Sequence, residues 1–221
     1  PIFVKMGATR VFDDVRLAAK AGADVVVIDG MEGGTAASAE ICQEHTGIPT
    51  LAAVCEARAA LEDIGLTGEV QIIIAGGIRH GVDAAKAMAL GADAVYIGTA
   101  ALMALNCNKP LYIEDYHALG TEPYHCHHCH TGDCPVGITT QNPDLMKRLD
   151  IDEGAERVAN LLQAMTAEIQ IMARACGKAD IHDLEPEDLR ALNLEASMIC
   201  GVPLAGTNRV FAEGPGWKNG A

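Results

Sequence analysis

Five short apolar runs rich in β-branched residues recur along the first part of the chain: PIFVKM (1–6), ADVVVIDG (23–30), IPTLAAV (48–54), VQIIIAGG (70–77) and DAVYIGTA (93–100). None alternates polar with apolar positions, which is the pattern of a strand covered on both faces. Helical patterns such as VFDDVRLAAKAGA and GVDAAKAMALGA separate them, each closing near a glycine in the C-cap position. Repeats of this kind predict βαβ units and a parallel sheet. Right-handed crossovers then leave a doubly wound sheet or a (β/α)8 barrel.

Two glycine signals favour the barrel. Gly76-Gly77 follows one run directly and Gly98-Thr99 closes the next. Phosphate-binding barrels use the loops after strands 7 and 8 in this way, where backbone N–H groups meet the anion and glycine permits the close approach. With those two runs as strands 7 and 8, PIFVKM becomes strand 4. The chain is thus expected to carry about strands 4–8 of a TIM barrel, with the first three supplied elsewhere, since a barrel cannot close without them.

Beyond residue 107 the periodicity stops. Residues 108–125 read as an irregular excursion, followed by a cysteine- and histidine-rich loop. A long helix is predicted from Asp152 to Cys176, with Val158, Leu161, Leu162, Met165, Ile169, Met172 and Cys176 on one face and Gly177 as its stop. LEPEDLRALNLEAS (184–197) predicts a second amphipathic helix with Pro186 in its first turn. The tail is rich in Gly and Pro and reads as extended, with Trp217 a candidate packing anchor. Three segments follow: 1–106, part of a barrel; 107–145, the cysteine-rich segment; and 146–221, helices and tail.

Composition adds a core and a charge. Apolar residues make up 49% of 221 and aromatics only 4%, and the abundant Ala and Gly suit close helix-on-sheet packing. Thirty acidic against sixteen basic residues give a formal charge of −14, which argues against nucleic acid or an anionic membrane as a partner. No apolar run is long enough to span a bilayer and no signal peptide is evident, so a cytoplasmic protein is expected.

Eight cysteines in a chain of this length do not make a small disulfide scaffold. Cys42, Cys55, Cys176 and Cys200 are scattered and read as small buried residues. Cys107, Cys126, Cys129 and Cys134 fall in one segment, the last three within CHHCHTGDCPVG. Soft ligands at such density suit either an iron–sulfur cluster, built from C-x2-C spacings and a following Pro, or a Cys3His zinc site; spacing alone divides these evenly. The neighbouring His125, His127, His128 and His130 are not assigned as ligands.

GATRVFDDVRLAAKAGADVVVIDGMEGGTAAS, AGGIRHGVDAAKAMALGADAVYIGTAALMAL and CHTGDCPVGITTQNPDLMKR together resemble the FMN-binding domain of glutamate synthases. Among these the likeness is greatest to stand-alone subunits of the methylamine–glutamate N-methyltransferase (N-methylglutamate synthase) type. The resemblance implies FMN and a 3Fe–4S cluster, or a 4Fe–4S cluster if all four cysteines are ligands. In that family the first ligand follows strand 8 in A-L-G-C, matched here by A-L-N-Cys107, and two more lie in C-H-x-x-x-C-P-V-G, matched by Cys129 and Cys134. Twenty-one residues separate Cys107 from Cys129 where the family usually has five, and Cys126 lies inside that insertion.

For FMN, the resemblance implies contacts at Gly33, Gly34, Thr35, Gly76, Gly77, Gly98 and Thr99. It implies a Lys5 at the catalytic mouth that supports negative charge on the reduced ring. Where the family has Ser-Glu shortly after this Lys, the chain has Ala8 and Thr9, so contacts to 2-oxoglutarate do not transfer. The implied reaction condenses ammonia or methylamine with the oxo acid and reduces the imine to glutamate or N-methylglutamate. In the N-methyltransferase type, glutamate and methylamine give N-methylglutamate and ammonia. Glutaminase (amidotransferase)-type and other glutamate-synthase-like subunits are the implied partners in a hetero-oligomer. A different class of reading is a non-catalytic iron–sulfur scaffold or electron-transfer module.

Overall fold

A computed structural model describes residues 1–33, 41 and 45–211. Four strands, β1 (Phe3–Gly7), β2 (Val25–Asp29), β3 (Gln71–Ala75) and β4 (Ala94–Val95), form one parallel sheet in the order β1-β2-β3-β4. Helices α1 (Val11–Lys20), α2 (Thr50–Asp63) and α3 (Gly81–Ala89) connect or follow them, so the βα alternation of a partial barrel is present. Val26, Ile28, Ile72 and Ile74 share a core with Val11 and Val15 of α1 and with Ala53, Val54, Ala57 and Leu61 of α2. Val25, Val27 and Ile73 form a separate cluster on the other face. Lys5 lies level with Val27 in the register, and therefore on that second face.

One expected strand is a helix. IPTLAAV does not pair with the sheet: Pro49, at φ −56° and ψ 143°, is the N-cap, and Thr50–Asp63 is helical. Its apolar run reads as a strand because Leu51–Cys55 carries no charged side chain, and the polar positions that mark the helix, Glu56, Arg58, Glu62 and Asp63, come only after the run ends. The strand count is accordingly four among the described residues, and β4 is only two residues long. If β3 and β4 correspond to strands 7 and 8, β1 and β2 correspond to 5 and 6.

The long helix α7 spans Ile151–Ala175. Asp150 caps it by accepting from Glu153 N at 3.0 Å, and Gly177, at φ +75°, ends it. Met165 and Ala173 are buried, and Leu161, Ile169, Met172 and Cys176 partly so, whereas Leu162 is 48% exposed. The inward stripe is thus narrower than the periodicity predicts.

A Cβ on Gly81, at the start of α3, would lie 2.2 Å from Met165 O, and Gly81 N donates to Glu168 Oε2 at 2.6 Å. The two helices meet backbone to backbone, and only glycine fits between them.

The second predicted C-terminal helix is broken in two. Residues Pro186–Asp188 make a single 3-10 turn, Leu189 returns to extended backbone (φ −101°, ψ 154°), and α8 (Leu194–Cys200) starts afresh. Asn193 supplies the new N-cap by accepting from Ala196 N at 2.7 Å, so two caps override one amphipathic pattern. Cys55 of α2 and Cys200 of α8 are both buried in the main core, as expected, and the thiol–thiol hydrogen bond keeps Cys55 protonated. Cys176 is only partly buried, and Cys42 and Trp217 lie outside the described residues. No helix among the described residues is long and apolar enough to cross a membrane.

Replacing Gly81 by Ala should separate α3 from α7. A loss of about 1–3 kcal/mol is expected, measured as a lower urea midpoint at unchanged m value.

Candidate functional site

Parallel strands deliver their following loops to one edge of the sheet. Gly7, Asp29 and Ala75 stand level there, in register. Lys5 Nζ reaches Asp29 Oδ2 at 2.9 Å, and its side chain is 55% exposed. The predicted cation is therefore at the mouth but already paired, and as a solvated pair it adds little to stability. Ala8 is buried, and its carbonyl accepts from Ile48 N at 2.7 Å.

Gly30–Gly33 and Ala75–Gly77 form two loops packed against each other. Gly30 N donates to Ala75 O at 2.9 Å, and Gly33 N donates to Gly30 O at 2.9 Å. Gly76 and Gly77 hold φ of +104° and +73°, values that side-chain-bearing residues avoid. Gly77 is exposed, and so are Gly98 and Thr99 after the adjacent β4. Nothing lies within 4 Å of where a Cβ on Gly98 would be. Thr99 opens α4 (Thr99–Ala104), whose first N–H groups have no partner within the helix. Gly34 and Thr35 lie outside the described residues.

Two residues that the sequence reading missed join these loops. Thr50 N donates to Glu32 Oε2 at 2.8 Å, and Thr50 Oγ1 lies 2.7 Å from the same oxygen. The hydroxyl is also 2.9 Å from Gly76 O and 3.3 Å from Ala75 O. Thr50 was hidden by the mistaken strand; the acidic residue beside the glycine pair was the only visible signal for Glu32.

The cysteine segment follows α4 directly. Asn106 stands where the family pattern has Gly, and at φ +65° it takes the left-handed turn that Asn tolerates best after Gly. Cys107 N then donates to Leu102 O at 3.0 Å, closing the helix. The insertion 108–125 is ordered rather than irregular: a 3-10 turn, Pro110–Tyr112, leads into α5 (Ile113–Ala118). Tyr116 is fully buried against Cys134 and Val136, and its hydroxyl donates to Cys107 O at 2.5 Å. Apolar burial of this aromatic is what orders the excursion.

Cys134 starts a loop that ends at Gly137, where φ is +81° and a Cβ would lie 2.2 Å from Leu145 O. The terminal glycine of C-P-V-G is thus required by the packing of α6 (Pro143–Met146). Arg148 holds the loop from outside: Nη1 donates to Pro135 O and to Asp115 Oδ2, both at 2.8 Å, and the guanidinium lies 4.6 Å from the Tyr112 ring centroid. It ties the insertion to the cysteine loop.

The thiols differ. Burial pushes Cys107 up to about 11, and repulsion from Cys129, Cys134 and Cys126 adds to it. Cys126 is also raised, chiefly by burial. Burial acts against ionisation at Cys134 too, but the backbone N–H groups of Thr139, Ile138 and Val136 outweigh it, and its pKa is lowered. Cys129 is exposed on an open cleft of about 280 Å³ that Thr139 and Gln141 also line. Among the described residues no three Cys, His, Asp or Glu side chains converge as a preformed metal site. The four thiols are nevertheless close enough for charge on the other three to raise Cys107. Protonated thiols have no cause to converge until an ion replaces their protons. His128 is partly buried, and His125, His127 and His130 are exposed.

Residues 1–179 match the family model for the conserved region in glutamate synthase. A glutamate synthase large subunit-like protein of Rhizobium meliloti is 55% identical over 208 residues, 94% of this chain and 47% of that protein. An archaeal glutamate synthase (NADPH) of Methanocaldococcus jannaschii is 41% identical over 211 residues, 93% of this chain and 38% of its own length. The chain thus spans half or less of these relatives. Among solved structures, a flavocytochrome b2 variant with sulfite bound superimposes at a TM-score of 0.53 and 20% identity, covering 100% of this chain and 43% of that one, a likeness of fold. With that family model covering residues 1–179, most of its length, the chain belongs to the glutamate synthase family.

Proposed function

We propose that the chain forms the FMN- and iron–sulfur-binding part of a glutamate-synthase-type oxidoreductase that makes glutamate or N-methylglutamate. The observation that carries this reading is the placement of three glycine loops and Lys5 at one edge of the sheet in a family member. The residues fit FMN. Gly77 and Gly98 are exposed at the ends of adjacent strands, and the space where a Gly98 Cβ would stand is open. The donor set also suits an iron–sulfur cluster: charge on Cys126, Cys129 and Cys134 reaches Cys107, and the backbone N–H groups near Cys134 lower its pKa toward the thiolate.

FMN supplies hydride chemistry toward the imine carbon formed from 2-oxoglutarate and ammonia or methylamine. The chain's own residues bind and orient. Backbone N–H groups of Gly76-Gly77 and Gly98-Thr99 would hold the phosphate and Gly33 would face the ring; the other two residues expected there, Gly34 and Thr35, lie outside the described residues. Lys5 turns from Asp29 to stabilise negative charge at the mouth, where a preorganised cation counts for most once water is excluded. Closure of the barrel by further strands supplies that exclusion. An amidotransferase-type partner supplies ammonia.

Four substitutions test the reading in the full-length protein. Gly98→Asp places a carboxylate in the open trough without meeting other atoms, and should weaken FMN binding by about 100-fold or more, read by flavin fluorescence; undiminished retention would move the phosphate elsewhere. Cys129→Ala and Cys134→Ala should each abolish bound iron and the broad visible absorption; full iron in both would remove the cluster from this loop. Lys5→Met should slow flavin reduction while iron absorption stays unchanged.

A further inference from the structure

The geometry points to a role for Glu32 and Thr50 that the motif pattern does not assign: together they form a clip that sets the separation of the two glycine loops, and so position the cofactor phosphate. The inference rests on the flavin reading above.

The argument begins with one hydroxyl. Thr50 Oγ1 has a carboxylate oxygen at 2.7 Å and two carbonyl oxygens at 2.9 and 3.3 Å. It has a single proton to give, shared between Glu32 on the loop after β2 and Gly76 on the loop after β3. The seam it fills exists only because both loops lack side chains there. A Cβ on Gly30 would lie 2.0 Å from this oxygen, and one on Gly76 would lie 2.7 Å from it. Gly77 packs beside Glu32 as well, where a Cβ would fall 3.0 Å from Glu32 Cβ. A loop that carries phosphate-binding N–H groups is thereby tied to the loop expected to lie on the ring.

Glu32 has a second effect. Its carboxylate accepts the first N–H of α2, a helix of fourteen residues, and occupies the positive end of that dipole. The helix terminus next to the glycine loops is therefore already taken by an anion. A phosphate is left the N–H groups after β3 and β4, which is the selection the flavin reading requires.

The test compares Thr50→Val, Thr50→Ser, Glu32→Ala and the Thr50→Val/Glu32→Ala pair in the full-length protein. Thr50→Val keeps size and the backbone N–H while removing the hydroxyl. FMN dissociation constants should rise at least about tenfold in Thr50→Val and in Glu32→Ala, return near wild type in Thr50→Ser, and rise no further in the pair than in Glu32→Ala alone. Additive losses, or a Thr50→Ser variant as weak as Thr50→Val, would overturn the clip. Amide exchange of the flavin-free protein decides independently. Thr50→Val should speed exchange of residues 30–33 and 75–77 together at nearly unchanged melting temperature, and unchanged protection in either loop overturns the proposal. A wild-type protein that binds no FMN would sink the flavin reading itself, while the exchange result still decides whether the loops are clipped.

Discussion

Parallel pairing is the constraint on which the rest depends. Because β1, β2 and β3 run in one direction with Gly7, Asp29 and Ala75 level, every loop that follows a strand emerges at the same edge. Hydrophobic burial makes the pairing stable: Val26, Ile28, Ile72 and Ile74 are packed under α1 and α2. Val25, Val27 and Ile73 are buried on the opposite face, so the loops and their glycines gather at the edge. The cysteine segment inherits its position from the same arrangement, since α4 starts at the β4 loop and Cys107 closes it.

Much of this was legible in the chain. VVVID and QIIIA are strands where unbroken β-branched runs place them, and the glycine pairs fall at strand ends. The failure at IPTLAAV is instructive. The first turn and a half of this helix is apolar and its charged positions begin at Glu56, so the run taken alone looks like a covered strand, and Pro49 before Thr50 marked the helical start. The error then concealed Thr50, whose partner Glu32 is eighteen positions away. Contacts across such a separation leave no periodic trace.

The cysteine loop divides in the same way. The spacing of Cys129, Cys134 and Gly137 reports local geometry, because Gly137 must turn left-handed against Leu145 O. What the insertion does is tertiary. Tyr116 reaches under Cys134, and Arg148 binds both Pro135 O and Asp115, the latter thirty-three positions away. A run such as NKPLYIEDYHALG looks irregular because its order comes from one buried ring and one guanidinium rather than from a repeating pattern.

The edge position of β1 has a further consequence. Alternate residues of this strand are exposed along its length, with Phe3 51% exposed, whereas Val25–Ile28 of β2 are buried. Among the described residues no strand pairs with its outer side, so N–H and C=O groups there are open to a further strand. Whatever strand docks there completes the cavity around Lys5 as well as the ladder. Folding free energy and ligand affinity at that edge would then be linked functions: whatever increment the docking of a strand gave to a ligand bound beside Lys5, the ligand would return to the docked strand.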